Sequence, residues 1–473
     1  MADGISTAST AAEPKKPSIR TAETIKLQPV ANTTEDKDAK SPRFSNAHNP
    51  FSRRESLDLD DYFVGPRDLS KHSKWPMLMR MHGSIMPKMV LPLLLVGGWA
   101  TMIVAISKKV HYIGVDSVLL TITGFVISLG LSFRSSTAYE RYAEGRRYWA
   151  MLITASQTLG RVFWIHASDP EGQDPRDLML RKLSAMNLVV AFSLALKHNL
   201  RFEPFTDHTD MHHLIGHLDT FARSATTNQS TDSLMPRKNL FKETGEYLGV
   251  SFATSNPRKL LKKSRLPLGN LPLEILNHIA VAVDEMIRNG QLDTPMFQTL
   301  AYNNINFLND VLTGCDRVLN TPLPVAYAIA ISQITWVYVA LLPFQLIKPL
   351  GWIAIPATVA AAYIILGLLL IGGEIENPFG QDVNDLPLEL YCEQIAQDMD
   401  VIASFEKRTG TGFMTSSSNM PLYPASTASY DIWMQRDEEN LRQAIRSKPK
   451  KTFDMKRARA FSKGGAAAAE NMV

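Results

Sequence analysis

The sequence has little cysteine. Its 473 residues hold two, Cys315 and Cys392, too few and too far apart for a disulfide framework or a cysteine metal site. Twenty-six glycines and 27 prolines are ordinary counts and exclude a fibrous repeat. A glycine-rich nucleotide loop, a Ser/His/Asp arrangement and a nucleic-acid module are all missing, so the chain does not read as a common enzyme or a nucleic-acid binder. Residues 1–30 contain Asp3, Glu13 and Glu23 and no apolar core segment, so no signal peptide is expected. The most informative absence is that of charge along parts of the chain.

Four stretches carry no Asp, Glu, Lys or Arg: 89–107, 117–133, 318–347 and 349–373, of 19, 17, 30 and 25 residues. A bilayer-spanning helix needs about 20 mostly apolar residues. All four qualify, the second marginally. They predict membrane spans at about 87–107, 117–136, 325–347 and 352–373. The first two are joined by Ser107–Asp116 and the last two by Phe344–Gly351. Such short connections imply two hairpins, with both termini and the long middle on one side. Lys71, Lys74, Arg80 and Lys88 precede the first span, and Arg134, Arg141, Arg146 and Arg147 follow the second. The outer loops hold only Lys108, Lys109 and Lys348, so the richer side, with both termini, is expected to be cytoplasmic. Plasma and organelle membranes both stay open. The overall mean hydropathy of −0.08 averages these spans with a large polar part.

Residues 1–70 are polar, with few large apolar groups, and are expected to stay disordered. The segment 413–473 is Ser-rich and reads likewise. Its stretch 442–463 holds nine bases against one acid, Asp454, more surplus than the whole chain's +4. Such a run suits an anionic lipid surface or plain solvation. Between these ends the pattern is helical, with almost no period-2 signal. Residues 137–165 continue the second span as one long helix, with Gly145 and Gly160 its weak points. Residues 176–199 show Leu180, Leu183, Leu188, Ala191 and Phe192 near a 3.6 period, and Leu271–Arg288 and Leu300–Leu319 follow as helices. The fold class is an all-α membrane protein. Its cytosolic helical region is about 137–320 and 374–412.

Several motifs recur in one order. Ser132-Phe133-Arg134-Ser135-Ser136-Thr137-Ala138-Tyr139-Glu140-Arg141-Tyr142 follows the second span. Thr321-Pro322-Leu323-Pro324 precedes the third, and Leu342-Pro343-Phe344 lies near its end. Ile375-Glu376-Asn377-Pro378-Phe379-Gly380, with Asp382, Asn384, Asp385 and Leu386-Pro387-Leu388-Glu389, follows the fourth. Over 71–412 this order resembles the bestrophin family of anion channels, in its bacterial and fungal branch. The resemblance implies a homopentamer of four-span subunits around one central pore. It would pass chloride and other small anions passively, with no cofactor required.

Phe125, Leu129 and Phe133 stand at i, i+4 and i+8, on one helix face over about 12 Å of axis. Five copies would make three apolar rings able to gate by dewetting. The resemblance places the family's hydrophobic neck on these positions. Gly124, Ser128 and Gly130 are small enough for close helix packing. Arg134, just inside the last ring, and Arg141 and Arg146 beyond it are the candidate anion-attracting groups, with Glu140 and Glu144 interleaved. The resemblance also implies a second constriction at the start of Leu271–Arg288, at Leu273 or, next, Ile275. A calcium clasp of the family maps onto Glu374, Asn377, Asp382 and Asp385, although Gln381, Val383 and Asn384 thin the acidic run. Helix capping by the same groups is the alternative.

His208, His212, His213 and His217 lie within ten residues, and their four-residue spacings could share a metal on a helix. A membrane di-iron enzyme would need about eight histidines in three boxes, and the remaining ones stand alone. A zinc site or a solvated insertion fits better. A membrane scaffold that does not conduct is the other reading the sequence leaves open.

Overall fold

A computed structural model describes residues 83–115, 117–203, 206, 208–227, 268–405 and 410–470. The segment 1–70 lies outside them. Among the described residues every regular element is helical. The long helices are α1 (Met86–Lys109), α2 (Ser117–Arg161), α3 (Pro175–Leu200), α4 (Leu271–Arg288), α5 (Pro295–Asn320), α6 (Val325–Leu350), α7 (Ala354–Glu374), α8 (Leu388–Ser404) and α9 (Glu438–Glu470). A π-helical turn, Val162–His166, finishes α2.

Local chemistry sets several boundaries. Asp174 caps α3 by accepting from the Arg176 N–H at 3.0 Å, and Pro175 occupies the first turn. Asn270 caps α4 in the same way through the Leu273 N–H. At Gly351 the backbone takes φ 55°, a left-handed value that glycine adopts without strain. There the apolar stretch 318–373 breaks into α6 and α7.

Two groups of helices result. In the first, α1, the start of α2, α6 and α7 pack on one another around Met89, Val96, Ile127, Leu131, Val339, Ala362 and Leu366. The Trp99 indole donates to the Ala340 carbonyl at 3.0 Å and ties α1 to α6. Gly124 receives the Tyr338 ring, and Gly130 faces Ile331. In the second group α3 is central, packed by α4 and α8, while α5 and α8 flank the rest of α2. Its core contains Trp149, Phe163, Phe192 and Phe379, all fully buried, each stabilising by about 1.5–3 kcal/mol.

Three stretches among the described residues are long and apolar enough to cross a membrane: Met86–Lys109, Pro175–Leu200 and Val325–Glu374. The last is the α6–α7 pair. The expected span at 117–136 is not one of them. It forms the start of the 45-residue α2, and the side chains at 117, 119 and 120 lie outside the described residues. Conversely, α3 was expected outside the membrane. Its most apolar window is 61% buried inside the chain, against 28% for the other two stretches. It also buries Lys182, Lys197 and His198, and Lys182 and Lys197 each meet an aspartate from a loop at 2.5 Å. It is the central helix of the polar-capped body. Of the expected positions, Leu188, Ala191 and Phe192 are buried, whereas Leu180 and Leu183 are exposed, and Leu178, Lys182, Ala185, Met186 and Val189 also point inward. A helix enclosed on several sides has no single apolar stripe to read.

Gly145 and Gly160 do not weaken α2, which stays helical through both. They are contact points. A Cβ on Gly145 would come within 3.0 Å of Phe379, and one on Gly160 within 2.9 Å of Met399. Within 413–473, expected to be largely disordered, the structure places α9. Its first turn carries Glu438 and Glu439, and Arg442 pairs with Glu438 at 2.6 Å. Acids at a helix start and an i,i+4 ion pair favour helix. Cys315 and Cys392 are free and buried.

Helices α2 and α5 also approach closely, and a Cβ on Gly314 would lie 2.2 Å from the Tyr148 ring. Gly314→Ala must therefore displace Tyr148. It is expected to destabilise the chain by about 1–3 kcal/mol, the usual effect of overpacking, read as a lower thermal midpoint in detergent.

Candidate functional site

Along α2, Phe125, Leu129 and Phe133 are 70%, 46% and 58% exposed. Ile122 and Val126 extend the same apolar strip, while Ile127, Leu131 and Ala138 on the opposite side are buried. The three expected residues thus share a face left largely exposed among the described residues. Leu273 is likewise exposed, in the first turn of α4, whereas Ile275 is fully buried in the core. Ile275 is therefore unavailable as a constriction.

The arginines below the strip behave differently from the sequence expectation. The Arg134 side chain does not face the strip. It lies along Gly372 and Gly373 of α7, with its guanidinium 3.9 Å from Glu376. Arg141 acts as a fork. It donates through Nε to the Glu376 carbonyl at 3.0 Å, through one terminal nitrogen to the Val318 carbonyl at 2.7 Å, and through the other to the Thr321 carbonyl. Burial lowers its pKa, and the Glu376 and Glu144 carboxylates oppose that shift. Its charge thus serves to join α2, the end of α5 and the turn after α7. Arg146 is exposed and lies over the Tyr391 ring, 4.5 Å from its centroid. Glu144 pairs with Arg317 of α5 instead of a neighbouring arginine on α2.

The acidic segment after α7 is also occupied from within. Lys88, at the start of α1, places its ammonium 3.1 Å from Glu374 Oε2 and 4.0 Å from Asp382 Oδ2. The Asn384 amide donates to Glu374 Oε1 at 2.8 Å and to the Gly83 carbonyl at 3.1 Å. Asp385 Oδ2 accepts from the Asp382 N–H at 2.7 Å, and Asn377 Oδ1 accepts from the Phe379 N–H at 3.5 Å. Calcium takes six to eight oxygens converging on one point. Here the four expected residues turn their oxygens onto an ammonium, an amide and their own backbone. All four are thus engaged within the chain.

The histidine cluster read from spacing does not assemble. His212, His213 and His217 are exposed, and the first two rings sit edge to face, 5.4 Å apart. His208 leaves them and stacks on His198.

A model of the bacterial/fungal bestrophin proteins matches residues 67–401. The chain belongs to that family. Among relatives outside the match itself, a voltage-dependent anion channel-forming protein of Synechocystis sp. is 28% identical over 327 residues, 68% of this chain and 89% of that protein. Another of Nostoc sp. is 29% identical over 301 residues, 64% and 82% of the two chains. A crystallised bestrophin homolog from Klebsiella pneumoniae aligns with a TM-score of 0.49 and 22% identity, covering 67% of this chain and 100% of that one. Membership in a channel family, and not in one of enzymes, agrees with the scattered histidines.

Several site residues escaped sequence reasoning. Lys88 was counted only as a flanking charge. Glu376 was part of a motif with no assigned partner, yet it faces Arg134 with its carboxylate and Arg141 with its carbonyl. No spacing signal relates Arg141 to Glu376, 235 positions away. Arg141→Ala removes three charge-assisted hydrogen bonds, each contributing about 1.5–3 kcal/mol. It is expected to lower the thermal midpoint strongly. Arg141→Lys should restore little, because one ammonium cannot span carbonyls on two segments. An Arg141 that acted only through its field would leave the midpoint unchanged in both variants.

Proposed function

We propose that this bestrophin is the subunit of a passive anion channel that conducts chloride and other small anions. The exposed apolar strip on α2, in a member of a family whose relatives carry the name anion channel-forming, is the observation that carries this reading. Four spans form two hairpins: α1 with the start of α2, and α6 with α7. Both termini lie in the cytoplasm, and five copies surround one pore in the bilayer. Phe125, Leu129 and Phe133 of each copy form the neck, and Leu273 on α4 a second constriction. Small apolar rings hinder ion passage by excluding water when narrow.

Anion preference then cannot rest on Arg134 and Arg141 alone, since both are matched by nearby groups. Arg146, exposed on the same helix, remains the candidate for attracting anions. Calcium is not required, because an ammonium already neutralises Glu374. Metal-independent opening follows from that arrangement.

In proteoliposomes loaded with chloride, purified protein is expected to release it downhill without added energy. Replacing Phe125, Leu129 and Phe133 together with Ala should raise the release rate several-fold. Complete absence of release from wild type and variant alike would favour a non-conducting scaffold. Single-channel open probability is expected to be equal in EGTA and in micromolar calcium. A rise with calcium would contradict the role given to Lys88.

A further inference from the structure

At the end of α3 the chain turns sharply. Phe202 has φ 61°, a left-handed conformation that is uncommon and strained for an aromatic residue. The turn is fixed on both sides. Arg201 pairs with Glu389 and donates to the Gly380 carbonyl at 3.3 Å. Glu203 Oε1 accepts from the Gln381 amide at 3.1 Å. The strained turn brings Glu203 back against His198, in the last turn of α3.

His198 is buried between two carboxylates. Its Nδ1 is 3.0 Å from Glu203 Oε2, and its Nε2 is 3.1 Å from both oxygens of Asp210. Lys197 holds Asp210 from the other side at 2.5 Å. The His208 ring lies over His198, centroids 3.9 Å apart and 10° from parallel.

Two features call for a cation here. With the Nε2 proton given to Asp210, the Nδ1 lone pair faces a carboxylate oxygen, which requires either a second proton or a metal ion between them. Among the described residues, His208 Nε2 is buried with no hydrogen-bond partner, while the backbone of Glu203 hydrogen-bonds the ring. Buried polar atoms in folded proteins nearly always have partners, and an orphan often marks an ion or water.

We propose that His198, Glu203 and His208 form a binding site for one divalent ion of the zinc class. One ligand atom from each already lies within 4.8 Å of the other two. Zinc bonds to nitrogen and carboxylate oxygen at about 2.0–2.2 Å, and three protein ligands leave its fourth position to water. Imidazole donors select zinc or a neighbouring transition metal over calcium and magnesium. Metal-bound histidines commonly give their other N–H to a carboxylate or a carbonyl. Asp210 does this for His198. Binding requires the stack to open, because the ion must lie in the plane of each ring. The ion would fasten Glu203 and His208 to α3 and, through Gln381, to the turn that holds Arg141.

The test uses the full chain, purified, stripped with a chelator and titrated with zinc chloride by calorimetry. One ion per chain is expected. His208→Ala and Glu203→Gln should each weaken binding at least tenfold, and Asp210→Asn by about 10–100-fold. Joint replacement of His212, His213 and His217 by Ala should leave the affinity unchanged. Zinc-edge X-ray absorption on the unmodified protein supplies a readout independent of variant folding and should show two imidazoles per ion. Absence of binding, loss of binding in the His212/His213/His217 variant alone, or a zinc shell without two imidazoles would overturn the proposal.

Discussion

The Arg141 fork is the interaction on which the rest of the structure depends. It sits where α2 passes from the group of apolar helices to the polar-capped body. Three of its hydrogen bonds reach the end of α5 and the turn after α7. Those carbonyls lie at helix ends, where intrahelical partners run out. One cation therefore satisfies several orphaned acceptors and fixes the direction of α2. The exposed strip of Phe125, Leu129 and Phe133 is held above it, and the buried row from Trp149 to Phe163 below it.

Close packing extends this constraint along the helix. Gly145 admits Phe379, Gly160 admits Met399, and Gly314 of α5 admits Tyr148. Because α2 is pinned at successive points on one side, its apolar strip has little freedom to turn. The same turn after α7 is fixed from the opposite direction by Lys88 and Arg201. It is a crossing point for α1, α2 and α3, which explains why its acids are engaged with the chain's own cations and amides.

Much of the architecture was legible in the sequence because it depends on local patterns. The charge-free runs at 89–107, 318–347 and 349–373 correspond to α1 and the α6–α7 pair, and the expected helix Leu271–Arg288 is α4 with the same bounds. The neck candidates lie on one exposed face because i, i+4 and i+8 determine that geometry in any α-helix. The failures are long-range. Leu188, Ala191 and Phe192 of the expected α3 face are buried, but Leu180 and Leu183 are exposed, because α3 is enclosed on several sides and its inward set also takes in Lys182 and Lys197. Arg134 follows the neck in sequence, yet its side chain goes to Glu376. His208 sits in a run of histidines, but its partner is His198, reached only because Phe202 reverses the chain. Charge pairing and loop reversal depend on what the fold brings near, and spacing along the chain does not carry that information.

The central claim is that this family member conducts anions through its own pore. The most direct measurement is the reversal potential of purified protein in a planar bilayer under a potassium chloride gradient. The account predicts a current that reverses near the chloride equilibrium potential. A reversal near the potassium equilibrium potential would contradict it.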